Sequence, residues 1–420
     1  MSNRKPASAR SGRNHGGRRR PAPREINLDD VEWISDSARL KEWCEEARKT
    51  GLVAVDTEFH RERTFFADLA LVQLAAGGKI ACVDPIVDGI DLSPLDALVT
   101  DPQVMKIMHA GRQDLEIFFD RTGQVVAPLF DTQVAASFLG MGEQLSYGAI
   151  VERVCKISLS KAQVRTDWMH RPLAPEVLDY AANDVRYLEE IYTSMREALD
   201  TRGRMEWLQE ELDLMHDLSS FQYDPKQAWL RVKGTDKLRG VSCAIAQKLA
   251  AWREEEAREV NRPRKRVIPD EIITDLAKMK PRRMEQLQRM RGLDQSARKR
   301  YGELLLRMVA DMEQSPKEEW PEPRKRGPIA QYDDAVAEAM NAVLEIRARE
   351  EEISPGMIST RKEVQHLAAG ETGLRILKGW RYNIAGQDLE AFLQGKHAIK
   401  VVNGELNIFP VPGSSGSEEA

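Results

Sequence analysis

Between Val31 and about Arg202 the apolar positions switch repeatedly between two periods. VEWI (31–34), LVAVDTE (52–58), LALVQLAA (69–76), KIACVD (79–84) and VMKIMHA (104–110) are short runs that read as strands. Gly77 and Gly78, between the third and fourth of these, predict a hairpin. The intervening segments carry apolar residues at helical spacing. One covers 36–49 with Asp36 as its N-cap, one follows Gly111 through Phe118, and one begins at Thr132. PEVLDYAANDVRYLEEIYTSMREAL (175–199) predicts one long helix, with Pro175 near its start and Gly203 beyond its end. The pattern of 29–204 is therefore that of an α/β domain. After about Arg204 strands disappear from the pattern. Residues 205–312 read as helices, 313–330 as a Pro-rich charged linker, 331–398 as a second helical unit, and 399–420 as a tail.

Composition narrows the function classes. A chain of 420 residues exceeds one ordinary domain, and 42% hydrophobic with 31% charged residues is the balance of a globular protein. No stretch reaches the roughly 18 apolar residues of a membrane helix. Cys44, Cys82, Cys155 and Cys243 are scattered and form no CxxC. That spacing argues against a disulfide framework or a zinc ribbon and predicts a reducing, cytoplasmic setting. The net charge of −5 gives no global field for nucleic acid, but its distribution is uneven. The first 24 residues carry eight Lys or Arg and no acid, leaving the rest of the chain at −13. Residues 1–28, rich in Gly, Pro and Arg and without an apolar stretch, are expected to be disordered and are no secretory signal. They read either as a basic arm for phosphates or as a solubilising extension.

Four acids stand out. Asp56 and Glu58 end a strand one residue apart, and positions i and i+2 of a strand share a face. Two adjacent carboxylates repel unless a cation lies between them; alternatively, the strand has ended and water solvates both. Asp114 falls in the first turn of the helix opened by HAGRQD, where an acid also suits the helix dipole. Asp184 follows Tyr180 by four residues, placing phenol and carboxylate on one helical face. Each signal alone also fits an ordinary polar surface. Their order, a strand acid pair, then a helix-start Asp, then a helical Tyr-x-x-x-Asp, is more specific.

With these residues the chain resembles the DEDD 3′→5′ exonucleases of the tyrosine subclass. DTEF, HAGRQDLEIF and YAANDVRYL look like the three exonuclease motifs. FDTQVAA (130–136) and RTDWMHRPL (165–173) look like those of the ribonuclease D family. NRPRKRVIPDEIITDLAKMKPRRMEQLQRMRG (261–292) resembles an HRDC module, and 331–398 resembles a more divergent one. The resemblance implies a ribonuclease H-like α/β exonuclease domain, a mixed sheet flanked by helices, followed by two all-α HRDC-type domains. It implies two divalent ions, Mg²⁺ or Mn²⁺. Asp56 would bridge them, Glu58 and Asp184 would complete the site that activates water, and Asp114 would serve the leaving group. Tyr180, too weak a base at neutral pH, would orient the attacking water. The implied substrate is RNA, with tRNA 3′ ends trimmed to 5′-mononucleotides by a monomeric enzyme.

Other positions keep two readings. Phe59 either stacks on the terminal base or joins the core, since it alternates away from Glu58. His109 reads as a core or turn histidine. Arg165 and Arg171, flanking Trp168, either meet phosphate or form ion pairs. Arg264, Lys265 and Arg266, with the basic stretch 280–292, read as an RNA-binding footprint or as a solvated face balanced by the REEEARE stretch before them. Two rival functions remain at this level: a DNA exonuclease of the same superfamily, and a non-catalytic nucleic-acid binder. The intact acid set argues against the second.

Overall fold

Alternating apolar residues over 52–83 build the centre of the molecule. β2 (Leu52–His60), β3 (Asp68–Ala76) and β4 (Lys79–Val83) form an antiparallel meander. The turn between β3 and β4 is the Gly77–Gly78 pair, both at positive φ. β1 (Val31–Ile34) adds in parallel to β4, β5 (Met105–Met108) in parallel to β2, and β6 (Leu129–Asp131) in parallel to β5. The mixed sheet thus runs β1-β4-β3-β2-β5-β6. This is a computed structural model, and it describes residues 27–159, 166–222, 224–322 and 329–412. Residues 1–26 of the expected basic tail and 413–420 of the expected C-terminal tail lie outside them.

The helices of this domain are α1 (Ser37–Thr50), α2 (Ser93–Val99), α3 (Arg112–Thr122), α4 (Thr132–Phe138), α5 (Tyr147–Val154), α6 (Pro175–Arg186) and α7 (Leu188–Thr201). Asp36 caps α1 through the Arg39 amide, as its position predicts. The single helix expected over 175–199 is two. It breaks at Tyr187, whose amide lies 3.4 Å from the Tyr147 hydroxyl. The break lets α6 lie across β2, β3 and β4 while α7 packs on α4 and α5.

Two further corrections concern the C-terminal half. Strands do not end with the first domain: β7 (His397–Val402) and β8 (Glu405–Pro410) form a hairpin inside the segment read as a tail. Its turn is Asn403–Gly404, both at positive φ, the pair that suits a tight two-residue hairpin. The boundary at 204–205 also moves. Helix α8 (Met205–Met215) buries Leu208 and Leu212 in the same apolar core as the sheet. That core continues through Met340, Val343, Leu344, Trp380 and Leu389 of the C-terminal helical unit. The intervening module has its own core of Trp229, Ile245, Leu249, Leu276 and Leu305. Phe65, from the β2–β3 loop, is buried in that second core, and Asn261 Oδ1 accepts from the amides of Phe65 and Phe66 at 3.0 and 3.1 Å.

Candidate active site

The parallel pairing of β2 with β5 brings two carboxyl ends together, where open α/β sheets place their sites. Asp56 and Glu58 project from the end of β2. Asp114 enters from the first turn of α3, just after β5, and is 7% exposed. Thr57, between the two strand acids, donates its hydroxyl proton to Asp114 Oδ1. Asp184 descends from α6, and Tyr180, one turn earlier, donates a hydrogen bond to it. One carboxylate oxygen from each of Asp56, Glu58 and Asp184 lies within 4.8 Å of the others. Asp114 stands outside this triad on the same cleft.

The turn that delivers Asp114 is held from outside the motifs. Ala110 adopts a left-handed backbone (φ 56°), and the buried Asp131 carboxylate accepts from the amides of Ala110 at 3.2 Å and Gly111 at 2.9 Å. The same carboxylate caps α4 through Gln133 at 2.8 Å and Val134 at 3.2 Å. The FDTQVAA stretch therefore fixes the start of α3 and α4 at once.

The four acids disfavour their own charge. Burial, then repulsion from Asp184 and Asp114, pushes the Glu58 carboxyl up to about 8. Burial raises Asp184 to about 7, with the Tyr180 hydrogen bond opposing it, and raises Asp114 to about 6, with the Thr57 hydroxyl opposing it. Asp56, which feels all three other acids, lies well above the ordinary carboxylate range, burial again contributing most. The Tyr180 phenol is raised as well, by burial and then by Asp184. Such a group is costly as bare anions and suited to hard divalent cations, which take oxygen ligands. Among the described residues the clustered donor set is all carboxylate and lacks the His and Cys of a zinc centre.

The cleft contains residues the sequence did not single out. Gln113 and Tyr147 line it with the acids, as does His109. His109 Nδ1 lies 2.9 Å from the Thr132 hydroxyl and its ring 5.5 Å from that of Tyr147, so the turn histidine is also part of the cleft wall. Phe59 lines the cleft beside Glu58. At this point the pairing of β2 with β3 shifts register: Glu58 pairs with Leu71 but Phe59 with Leu69, leaving Ala70 of β3 as a bulge.

Two arginines do not serve as expected. Arg171 spends its whole donor set inside the protein: two bonds of 2.8 Å to Asp84, and others to the carbonyls of Trp168, His170 and the bulged Ala70. The ion-pair reading of Arg171 therefore replaces the phosphate reading. Arg264 is likewise paired, bidentately with Glu254, and lies over the Phe65 ring at 4.5 Å. Lys265 and Arg266 are exposed. Arg165 lies outside the described residues.

The fold and cleft have relatives. Residues 31–200 match the family described as "3'-5' exonuclease", and residues 243–309 match the "HRDC domain" family. Ribonuclease D of Sphingobium indicum is 40% identical over 89% of this chain and 97% of that protein. Ribonuclease D of Zymomonas mobilis is 38% identical over 89% and 96% respectively. Among solved structures, Escherichia coli RNase D, described as an exoribonuclease involved in structured RNA processing, superposes with a TM-score of 0.77. It is 29% identical, over 87% of this chain and 99% of that one. The similarity spans the exonuclease domain, the HRDC module and the C-terminal unit.

Proposed function

Because the chain belongs to the ribonuclease D family of 3′→5′ exoribonucleases, we propose that its cleft removes single nucleotides from the 3′ ends of structured RNA, tRNA precursors among them. The observation that carries the site assignment is the meeting of Asp56, Glu58 and Asp184 oxygens within 4.8 Å, with Asp114 and Tyr180 on the same cleft. When bound, a pair of Mg²⁺ or Mn²⁺ ions would polarise the scissile phosphate, lower the pKa of the attacking water and offset charge on the leaving oxygen.

The chain's own groups supply the rest. Asp56, flanked by all three other acids, would hold both ions. Glu58 and Asp184 would complete the site that activates water, and Asp114, steadied by Thr57, would serve the departing 3′ oxygen. The Tyr180 hydroxyl, high in pKa and hydrogen-bonded to Asp184, is no base. It orients the attacking water as a donor or acceptor. Phe59, on the cleft wall, offers a face for the terminal base, an interaction that tolerates any sequence. The products are 5′-mononucleotides.

The exposed Lys265 and Arg266 and the basic stretch 280–292 hold RNA phosphates upstream of the cut. The helical unit of 331–398 is a second, divergent HRDC-type domain. Among the described residues no helix is long and apolar enough to cross a membrane. We place the enzyme in the cytoplasm as a monomer, a setting that suits its scattered free cysteines. End-labelled RNA and DNA digested with Mg²⁺, Mn²⁺ or EDTA test the reading. A ladder of single-nucleotide steps on RNA that EDTA abolishes is expected. Equal rates on DNA would return the deoxyribonuclease alternative, and no cleavage with either ion would remove the catalytic reading.

A further inference from the structure

Gln73, in the middle of β3, is fully buried, and neither its side-chain oxygen nor its side-chain nitrogen has a partner among the described residues. A carboxamide brings two N–H donors and an acceptor oxygen, and leaving them unpaired in the interior is unfavourable. The strand register shows what stands beside it. Gln73 is paired with Asp56 of β2 on one side and Cys82 of β4 on the other. Directly opposed residues of antiparallel strands share a face, with Cβ atoms about 4.5–5.5 Å apart. The carboxamide and the Asp56 carboxylate therefore lie on the sheet face that α6 crosses. The next residues of β3 on that face, Leu71 and Ala75, are apolar; of the acids gathered there, Asp56 is the one directly opposite Gln73, with Glu58 opposite Leu71. Its carboxylate takes one backbone bond, from Thr57, and has lone pairs left.

We infer that Gln73 is a positioning residue for Asp56: its side-chain amide donates through one buried water to the Asp56 carboxylate and fixes the orientation in which that group meets a divalent cation. The inference rests on the metal reading above and adds a residue outside the three exonuclease motifs. The physical gain is that a ligand held by a partner behind it loses less freedom when the cation binds.

Mn²⁺ titration of the full chain, followed by the EPR signal of free Mn²⁺, tests this alongside thermal melts in EDTA. Gln73→Met keeps the length of the side chain and removes the donor. It should bind Mn²⁺ about 10–100-fold more weakly than wild type, the usual cost of losing such a partner. Its melting temperature in EDTA should stay close to that of wild type, because the thioether fills the same space and only the bridging bond towards Asp56 is lost. A packing role alone would move the melt and leave the Mn²⁺ affinity. Gln73→Asn keeps an amide one methylene short of its target and should also weaken Mn²⁺ binding. Affinities within about twofold of wild type in either folded variant, far short of the expected loss, overturn the inference, and failure of both variants to fold assigns Gln73 to structure alone. Asp184→Asn is the control. If wild type shows no Mn²⁺ binding that Asp184→Asn removes, the metal reading itself has failed, and the inference falls with it.

Discussion

Replacing Asp56, Glu58, Asp114 or Asp184 with its amide preserves shape and removes the charge a cation needs. Each variant should lose more activity than the roughly 10–100-fold typical of a missing supporting partner, with RNA affinity retained. The raised carboxyl pKa values carry a second consequence, in the metal-free protein. A carboxyl that holds its proton more tightly folded than unfolded stabilises the fold at low pH and loses that contribution as pH rises towards the folded value. With Asp114 at about 6, Asp184 at about 7 and Glu58 at about 8, melts in EDTA should fall steadily between roughly pH 5 and pH 8. Glu58→Gln should flatten the upper part of that fall, and Mg²⁺ should reverse it most at high pH. An unchanged slope in Glu58→Gln would contradict the assignment. Tyr180→Phe removes one hydroxyl at the reacting centre and should cost about 10²-fold in single-turnover rate, the lower end for a positioning group. Spacing put Asp56 with Glu58 and Tyr180 with Asp184 on shared faces; that these pairs and Asp114 belong to one set came from the resemblance to the exonuclease motifs. Phe59 kept two readings because strand alternation alone does not show which residues border a cleft completed by other elements. The choice between phosphate and ion pair for Arg171 could not be made from the sequence because its partner Asp84 is 87 positions away.

At the scale of elements, Asp131 is the joint between β6, α3 and α4. Asp131→Ala leaves four amides without their acceptor. Since bonds to a charged group are each worth about 1.5–3 kcal/mol, the loss should reach at least that much in chemical denaturation. Cleavage should slow as well, because the turn carrying Asp114 is no longer held. A folded, fully active Asp131→Ala would show that the turn keeps its shape without the carboxylate. Period and capping residues made α1, β2, the Gly77–Gly78 hairpin and the start of α4 readable. The break at Tyr187 was not, since the helical period runs through it unchanged and the Tyr147 hydroxyl it meets belongs to another helix. The β7–β8 hairpin was readable in principle. Asn403–Gly404 between two runs rich in Val and Ile is a strong local signal, overshadowed by the polar stretch that follows.

The whole molecule is organised around two cores, and the division is not where composition changes. Helix rich in Arg, Lys, Glu and Leu begins at about 205, yet α8 and the residues from Met340 to Leu389 complete the core of the sheet domain. A chain ending at Arg204 would uncover that surface and strip Phe138 of the Trp207 and Trp380 rings packed against it. It should therefore melt lower or aggregate rather than persist as a free catalytic domain, which circular dichroism and light scattering would report. Charge removal is the gentler probe of RNA binding. Lys265→Ala with Arg266→Ala should weaken binding and reduce the slope of log affinity against log salt by about one for each phosphate no longer neutralised. An unaltered slope would make both residues a solvated surface. Pattern could place the helices but not assign them to a core, because the residues whose packing decides it stand more than a hundred positions apart.

That distance has a consequence on the ribosome. The sheet, with its strands close in sequence, can begin to pair early, but the apolar patch around Phe138 and α8 waits for partners near the far end of the chain. At about 5–20 residues per second, synthesis leaves that patch uncovered for on the order of ten seconds. Until its last helices emerge the nascent domain carries exposed apolar surface, and slower translation of the module between them should lengthen the time in which it can aggregate.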